Sequence, residues 1–131
     1  MTKKYITSAI MLVVITGLIL YINNESPIAD RNKISPQEVK QKIDENYNMQ
    51  IIDVRTKEEY LTGHIPNSIL IPVDELRVKI HESVPDKEQK IILYCRSGNR
   101  SQSAMKILIE LGYNNVYDLG GINDWPYDIE K

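Results

Sequence analysis

Four short apolar runs in this 131-residue chain constrain its fold more than any other feature. They are Gln50-Ile51-Ile52-Asp53-Val54, Ser68-Ile69-Leu70-Ile71, Lys90-Ile91-Ile92-Leu93-Tyr94 and Asn115-Val116-Tyr117-Asp118-Leu119. Each has strand length, and Lys90-Ile91-Ile92-Leu93-Tyr94 reads as a buried strand. Helical patterns separate them. Ser35-Pro36-Gln37-Glu38 has the form of a capping box with Pro at the first helical position, and Val39 and Ile43 continue one apolar face. Thr56-Lys57-Glu58-Glu59 is a second capping box, opening a short helix that stops at Gly63. Val73, Leu76 and Ile80 predict a helix over 73–81, and Ala104, Ile107, Leu108 and Leu111 predict another over 101–111. Strands alternating with helices predict an α/β domain, a parallel sheet with helices on both faces. Such sheets bind ligands outside the carboxyl ends of their strands. Asp53, Cys95 and Asp118 fall at or near such ends.

Cys95 is the sole cysteine, and its setting is unusual for a core thiol. It ends the third strand and opens the polar loop Cys95-Arg96-Ser97-Gly98-Asn99-Arg100 before a helix. Unpaired amides at a helix start carry the positive end of the dipole and stabilise a thiolate or another anion. Gly98 lets the backbone turn with positive φ or approach a ligand closely. No Asp or Glu occurs from Gln89 through Ile109, whereas Lys90, Arg96, Arg100 and Lys106 do. The loop is therefore read as a cationic island around a nucleophile, although a lone cysteine is by default a small apolar core residue.

Composition narrows the alternatives. The net charge is −2, and setting aside Lys3 and Lys4 leaves 14 basic against 18 acidic residues, a net of −4. That balance argues against a nucleic-acid partner. One cysteine allows no intrachain disulfide, and the two histidines, His64 and His81, are too isolated to suggest a metal site. The N-terminus differs in kind: Tyr5 to Ile22 is a run of 18 residues without a charge, preceded by Lys3 and Lys4 and bracketed by Tyr5 and Tyr21. Its length is about the minimum for a membrane-spanning helix. The expected organisation is a signal anchor or transmembrane helix over 1–23, a polar linker over 24–33 and a globular domain over 34–131. Residues 5–22 would make the membrane contact. By the positive-inside rule the protein would be single-pass in the plasma membrane with its domain on the extracytoplasmic side. Export as a soluble domain after signal cleavage is the alternative.

Three motifs carry a resemblance. Ile52-Asp53-Val54-Arg55-Thr56, followed by Glu59-Tyr60 and Gly63-His64-Ile65-Pro66, resembles the first signature of rhodanese-like domains. Tyr94-Cys95-Arg96-Ser97-Gly98-Asn99-Arg100-Ser101 resembles the active-site loop of single-domain rhodaneses, and Leu119-Gly120-Gly121-Ile122-Asn123-Asp124-Trp125 their C-terminal signature. The resemblance spans residues 34–127 and implies a five-stranded parallel sheet. It also implies a thiosulfate:cyanide-type sulfurtransferase without a cofactor. Cys95 would be the nucleophile, taking sulfane sulfur from a small anionic donor as a persulfide. A thiol or cyanide acceptor, or a protein thiol, would then remove it. Amides from Arg96, Ser97, Gly98, Asn99, Arg100 and Ser101 would cradle the outer sulfur, and Arg96 and Arg100 would orient the donor. Asn67-Ser68 departs from the family's usual Gly-Ala, and Lys57 stands where Pro is common.

Asp53 and Arg55 read as an ion pair fixing strand ends and loops near the site, and His64 as a hydrogen-bonded loop residue rather than a general base. Two other functions fit parts of the pattern. One is a binding, sensing or relay module that hands a persulfide to a protein. The other is a cysteine phosphatase, disfavoured because such loops hold five residues between Cys and Arg, whereas Arg96 through Asn99 make four here.

Overall fold

The computed structural model describes residues 9–18 and 32–131. Helix α1 (Pro36–Asp44) starts where Ser35 Oγ accepts the Glu38 N–H at 3.1 Å, with Pro36 in the first turn. Glu38 makes no reciprocal bond to the cap; its carboxylate faces Lys42 at 3.8 Å. Strand β1 (Gln50–Asp53) follows, then α2 (Lys57–Thr62), opened by a full capping box of Thr56 and Glu59. The remaining elements are β2 (Ser68–Leu70), α3 (Leu76–Ser83), β3 (Ile91–Cys95), α4 (Asn99–Glu110), β4 (Val116–Gly121) and a 3₁₀ turn at Ile122–Asp124.

The four strands form one parallel sheet in the order β2-β1-β3-β4. Alternate side chains supply two cores. Ile52, Val54, Ile91, Leu93 and Cys95 pack with Leu76 and Ile80 of α3 and Ala104, Met105 and Leu108 of α4. Ile51, Ile92 and Tyr94 pack on the other face with Val39 of α1, Ile65 and Trp125. Central strand β3 is buried throughout, as a strand covered on both faces must be.

Three expectations need correction. Among the described residues the sheet has four strands, not five. Beside β4, where a fifth would lie, there is one isolated parallel bridge between Lys33 and Asp118. The Ile34 N–H bonds the Asp118 carbonyl at 3.1 Å, and the Ser35 cap then turns the chain into α1 before a ladder can grow. The expected transmembrane helix is also overturned: among the described residues no helix is long and apolar enough to cross a membrane. Residues 9–18 are helical, and at 1.5 Å per residue they rise about 15 Å against a hydrocarbon core of about 30 Å. The rest of the expected span, 5–8 and 19–22, lies outside the described residues, so no membrane contact through 5–22 is shown. Finally, α3 begins at Leu76 rather than residue 73. Val73 packs on the core from a preceding turn, held by the Val73 N–H to the Val54 carbonyl at 3.1 Å, so its helical spacing is coincidental.

One irregularity positions the site. Between Leu93/Tyr94 of β3 and β4 the register slips: Leu93 faces Asp118, but Tyr94 faces Gly120 and Cys95 faces Gly121. Leu119 is the extra residue of a β-bulge. Asp118 Oδ1 accepts the Gly120 N–H at 2.8 Å, holding Gly120 at φ +89°. Gly121 then lies under the cysteine loop, where an added Cβ would stand 2.3 Å from the Arg96 carbonyl oxygen and 2.7 Å from Ser97 Cα. Both are backbone atoms and cannot swing aside. Gly121→Ala is therefore expected to destabilise the domain by about 2 kcal/mol or more, the scale of overpacking in a rigid site. Urea unfolding of the variant beside wild type measures this.

Candidate active site

Cys95 ends β3 with its sulfur on the α4 side of the sheet and is 1% exposed. Helix α4 has no side-chain cap; its N-cap is Gly98, at φ +108° and ψ −15°. The left-handed turn directs the Gly98 N–H to Cys95 Sγ at 3.0 Å. Ser101, fully buried in the first turn, places its hydroxyl oxygen 3.7 Å from the same sulfur. In the thiol form the S–H points to Ser101 Oγ, whose own proton goes to the Gly98 carbonyl at 2.9 Å. Burial pushes the Cys95 thiol up, but hydrogen bonds from the Ser101 and Gly98 amides, the Ser101 hydroxyl and the Ser97 amide outweigh it. The net shift is downward, so the thiol ionises more readily than a free cysteine although it is nearly enclosed.

Arg100 leaves the loop and turns to Glu59. Its two terminal nitrogens donate to Glu59 Oε2 at 2.7 Å and Oε1 at 2.8 Å. The same carboxylate accepts the Thr56 N–H at 3.0 Å as part of the α2 cap. The hydrogen bonds from Arg100 hold the Glu59 carboxyl at about 2, against its partial burial, with the Thr56 amide adding to the effect. Arg100 is thus a clasp between α4 and α2, and the positive charge expected from two arginines is partly neutralised. Arg96 is exposed and makes no ion pair among the described residues. The sequence reading missed Glu59 in this role. It was legible as a capping residue, but its partner lies 41 positions away and no local pattern announces it.

Asp53 and Arg55 form a buried bidentate pair: Arg55 Nε lies 3.0 Å from both carboxylate oxygens and a terminal nitrogen 2.7 Å from Oδ2. Arg55 also donates to the Gly63 carbonyl at 2.7 Å, tying the end of β1 to the end of α2. Burial pulls the Arg55 pKa down, but the hydrogen bonds and charge of Asp53 outweigh it and raise the pKa. Tyr94 lies below; its hydroxyl accepts the Ile65 N–H at 3.1 Å and meets Ser68 Oγ at 3.0 Å. His64 stacks on Tyr60 with ring centroids 3.8 Å apart, and its backbone bridges Glu130. Its Nδ1 lies 3.1 Å from the Tyr60 carbonyl and its Nε2 3.6 Å from the Glu130 carboxylate. Neither contact involves the cysteine loop.

A cavity of about 450 Å³ opens beside the loop, between Arg55, Glu58, Glu59 and Thr62 on one side and Arg96, Ile122 and Asn123 on the other. The Asn123 N–H bonds the Arg96 carbonyl at 3.3 Å, fastening the 3₁₀ turn to the loop.

Residues 35–127 match the family described as Rhodanese-like domain. The chain belongs to this family. It is 41% identical over 73 residues to the thiosulfate sulfurtransferase PspE of Escherichia coli, covering 56% of this chain and 70% of that protein. It is 36% identical over 112 residues to the adenylyltransferase and sulfurtransferase UBA4 of Candida albicans. That match covers 80% of this chain but spans only about a quarter of the relative, 26%. A solved structure described as rhodanese with anions from E. coli aligns with a TM-score of 0.61 at 37% identity, covering 63% of this chain and 98% of that one.

Two pH effects follow. Cys95 should react with a small alkylating reagent with a midpoint below that of free cysteine, and Ser101→Ala should move the midpoint upward; alkylation rate against pH, read by intact mass, measures both. Glu59 has a folded pKa below its unfolded value, so its contribution is present above the ordinary glutamate range, near 4.3. It is lost as pH falls toward about 2. Glu59→Gln should remove that acid-dependent part of stability, about 1 kcal/mol for a partly solvated pair. Urea midpoints at successive pH values between these limits report it.

Proposed function

We propose that this domain is a sulfurtransferase that carries sulfane sulfur on Cys95. The observation that carries the reading is the sulfur itself: one thiol, accepting the Gly98 N–H at 3.0 Å and held below its ordinary pKa at the start of an uncapped helix. The family and the thiosulfate sulfurtransferase relative support it.

In the first half-reaction the Cys95 thiolate attacks the outer sulfur of thiosulfate. A Cys95–S–S bond forms, the S–S bond of the donor breaks, and its electron pair leaves on sulfite. The persulfide anion keeps the negative charge that the loop amides already face, so little reorganisation is needed. Arg96, exposed beside Cys95, draws in the dianion. In the second half-reaction a thiolate or cyanide attacks the outer sulfur, the persulfide bond breaks, and Cys95 regains its electron pair. This is covalent catalysis in two steps.

Intact mass spectrometry tests the reading. Thiosulfate should add one sulfur atom to the protein and cyanide should remove it, while Cys95→Ser should do neither. Absence of the added sulfur in wild type with thiosulfate and with other sulfane donors overturns the proposal.

A further inference from the structure

We infer that the cavity beside the cysteine loop selects a zwitterionic low-mass thiol as sulfur acceptor, with Glu58 as the specificity-determining residue. The inference rests on the sulfurtransferase reading and names the acceptor class for it. The cavity, at about 450 Å³, has room for a molecule the size of an amino acid, well beyond a donor sulfur or cyanide. Two of its four charged side chains are committed. Arg55 is held by Asp53 and the Gly63 carbonyl, and Glu59 by Arg100 and the Thr56 amide. Two charges remain. Arg96 follows Cys95 in the chain, and Glu58 stands on the α2 side. Both are exposed, and neither makes an ion pair among the described residues. A cation and an anion lining one concavity complement a ligand carrying a carboxylate and an ammonium. Asn123 adds an amide that can donate or accept. A purely anionic acceptor would meet Glu58, and a purely cationic one Arg96. A zwitterion satisfies both and brings its thiolate to the outer sulfur of the Cys95 persulfide. There the new S–S bond forms on the acceptor, the Cys95 persulfide bond breaks, and the electron pair returns to Cys95.

The test has two arms. In the first, S-methyl-L-cysteine, a zwitterion without a thiol, is titrated into the unloaded protein, with N-acetyl-S-methylcysteine as the analogue lacking the ammonium. Wild type should bind the zwitterion about tenfold more tightly, the scale of one charge-assisted contact, and Glu58→Gln should abolish that difference. In the second, protein loaded with thiosulfate is discharged by L-cysteine, N-acetylcysteine, cysteamine or 2-mercaptoethanol, with rates compared per thiolate. Wild type should favour L-cysteine about tenfold over each analogue that lacks one of its charges. Glu58→Gln should erase the preference over N-acetylcysteine and keep the preference over cysteamine. Equal binding of the two S-methyl ligands by wild type, or an equal slowing of every thiol in Glu58→Gln, overturns the inference. Failure to load with thiosulfate strikes the sulfurtransferase reading instead, and the binding arm still decides the role of Glu58.

Discussion

The sulfur of Cys95 stands where a capping oxygen would stand. Helices α1 and α2 begin on the hydroxyls of Ser35 and Thr56, each accepting an N–H three residues on. Helix α4 has no such group, and its start faces a sulfur at the end of the preceding strand. A neutral thiol is a poor acceptor and a thiolate a good one, so the helix is properly capped only when Cys95 is ionised. Folding and nucleophile activation are therefore one event: β3 and α4 cannot pack as they do without aiming amides at Sγ. Burial, which by itself would silence the thiol, also keeps competing water from those amides.

Around that arrangement the carboxyl edge of the sheet is fastened by ion pairs of unequal character. Asp53 and Arg55 are buried, and removing either partner would strand a charge in the interior. Glu59 and Arg100 are half in water; their value lies in geometry, because Glu59 caps α2 with one oxygen and receives Arg100 with both. The loop that holds the sulfur is thus tied through Arg100 to α2 and through the Arg96 carbonyl to the 3₁₀ turn. Arg96 alone keeps its charge for solvent or ligand, so the two arginines of the loop do different work.

Local physics in the sequence located most of this. The four strands were legible because short, mostly apolar runs between helical patterns have few alternatives. The Thr56–Glu59 box and the stop at Gly63 were legible because caps are written in adjacent residues. A fifth strand was a borrowed expectation, and the single bridge at Lys33 replaces it. Position 73 misled because a side chain in a turn can pack at a helical interval. The Glu59–Arg100 clasp and the approach of Gly121 to the loop join residues far apart in the chain, and only the assembled sheet brings them together. Likewise, a stretch without acidic residues suggested an undivided cationic loop, whereas the acid that answers Arg100 comes from another helix.

The bulge at Leu119 couples strand length to chemistry. Were the same residues of β4 paired as a straight ladder, Leu119 would stand opposite Tyr94 and Gly120 rather than Gly121 opposite Cys95. The clearance under Arg96 and Ser97 depends on which glycine arrives there. Elsewhere on the rim of such a sheet an insertion or deletion alters a loop and leaves the interior alone. In β4 an inserted residue that the bulge did not absorb would re-phase the floor of the sulfur site, so the length of this strand matters as much as its glycines.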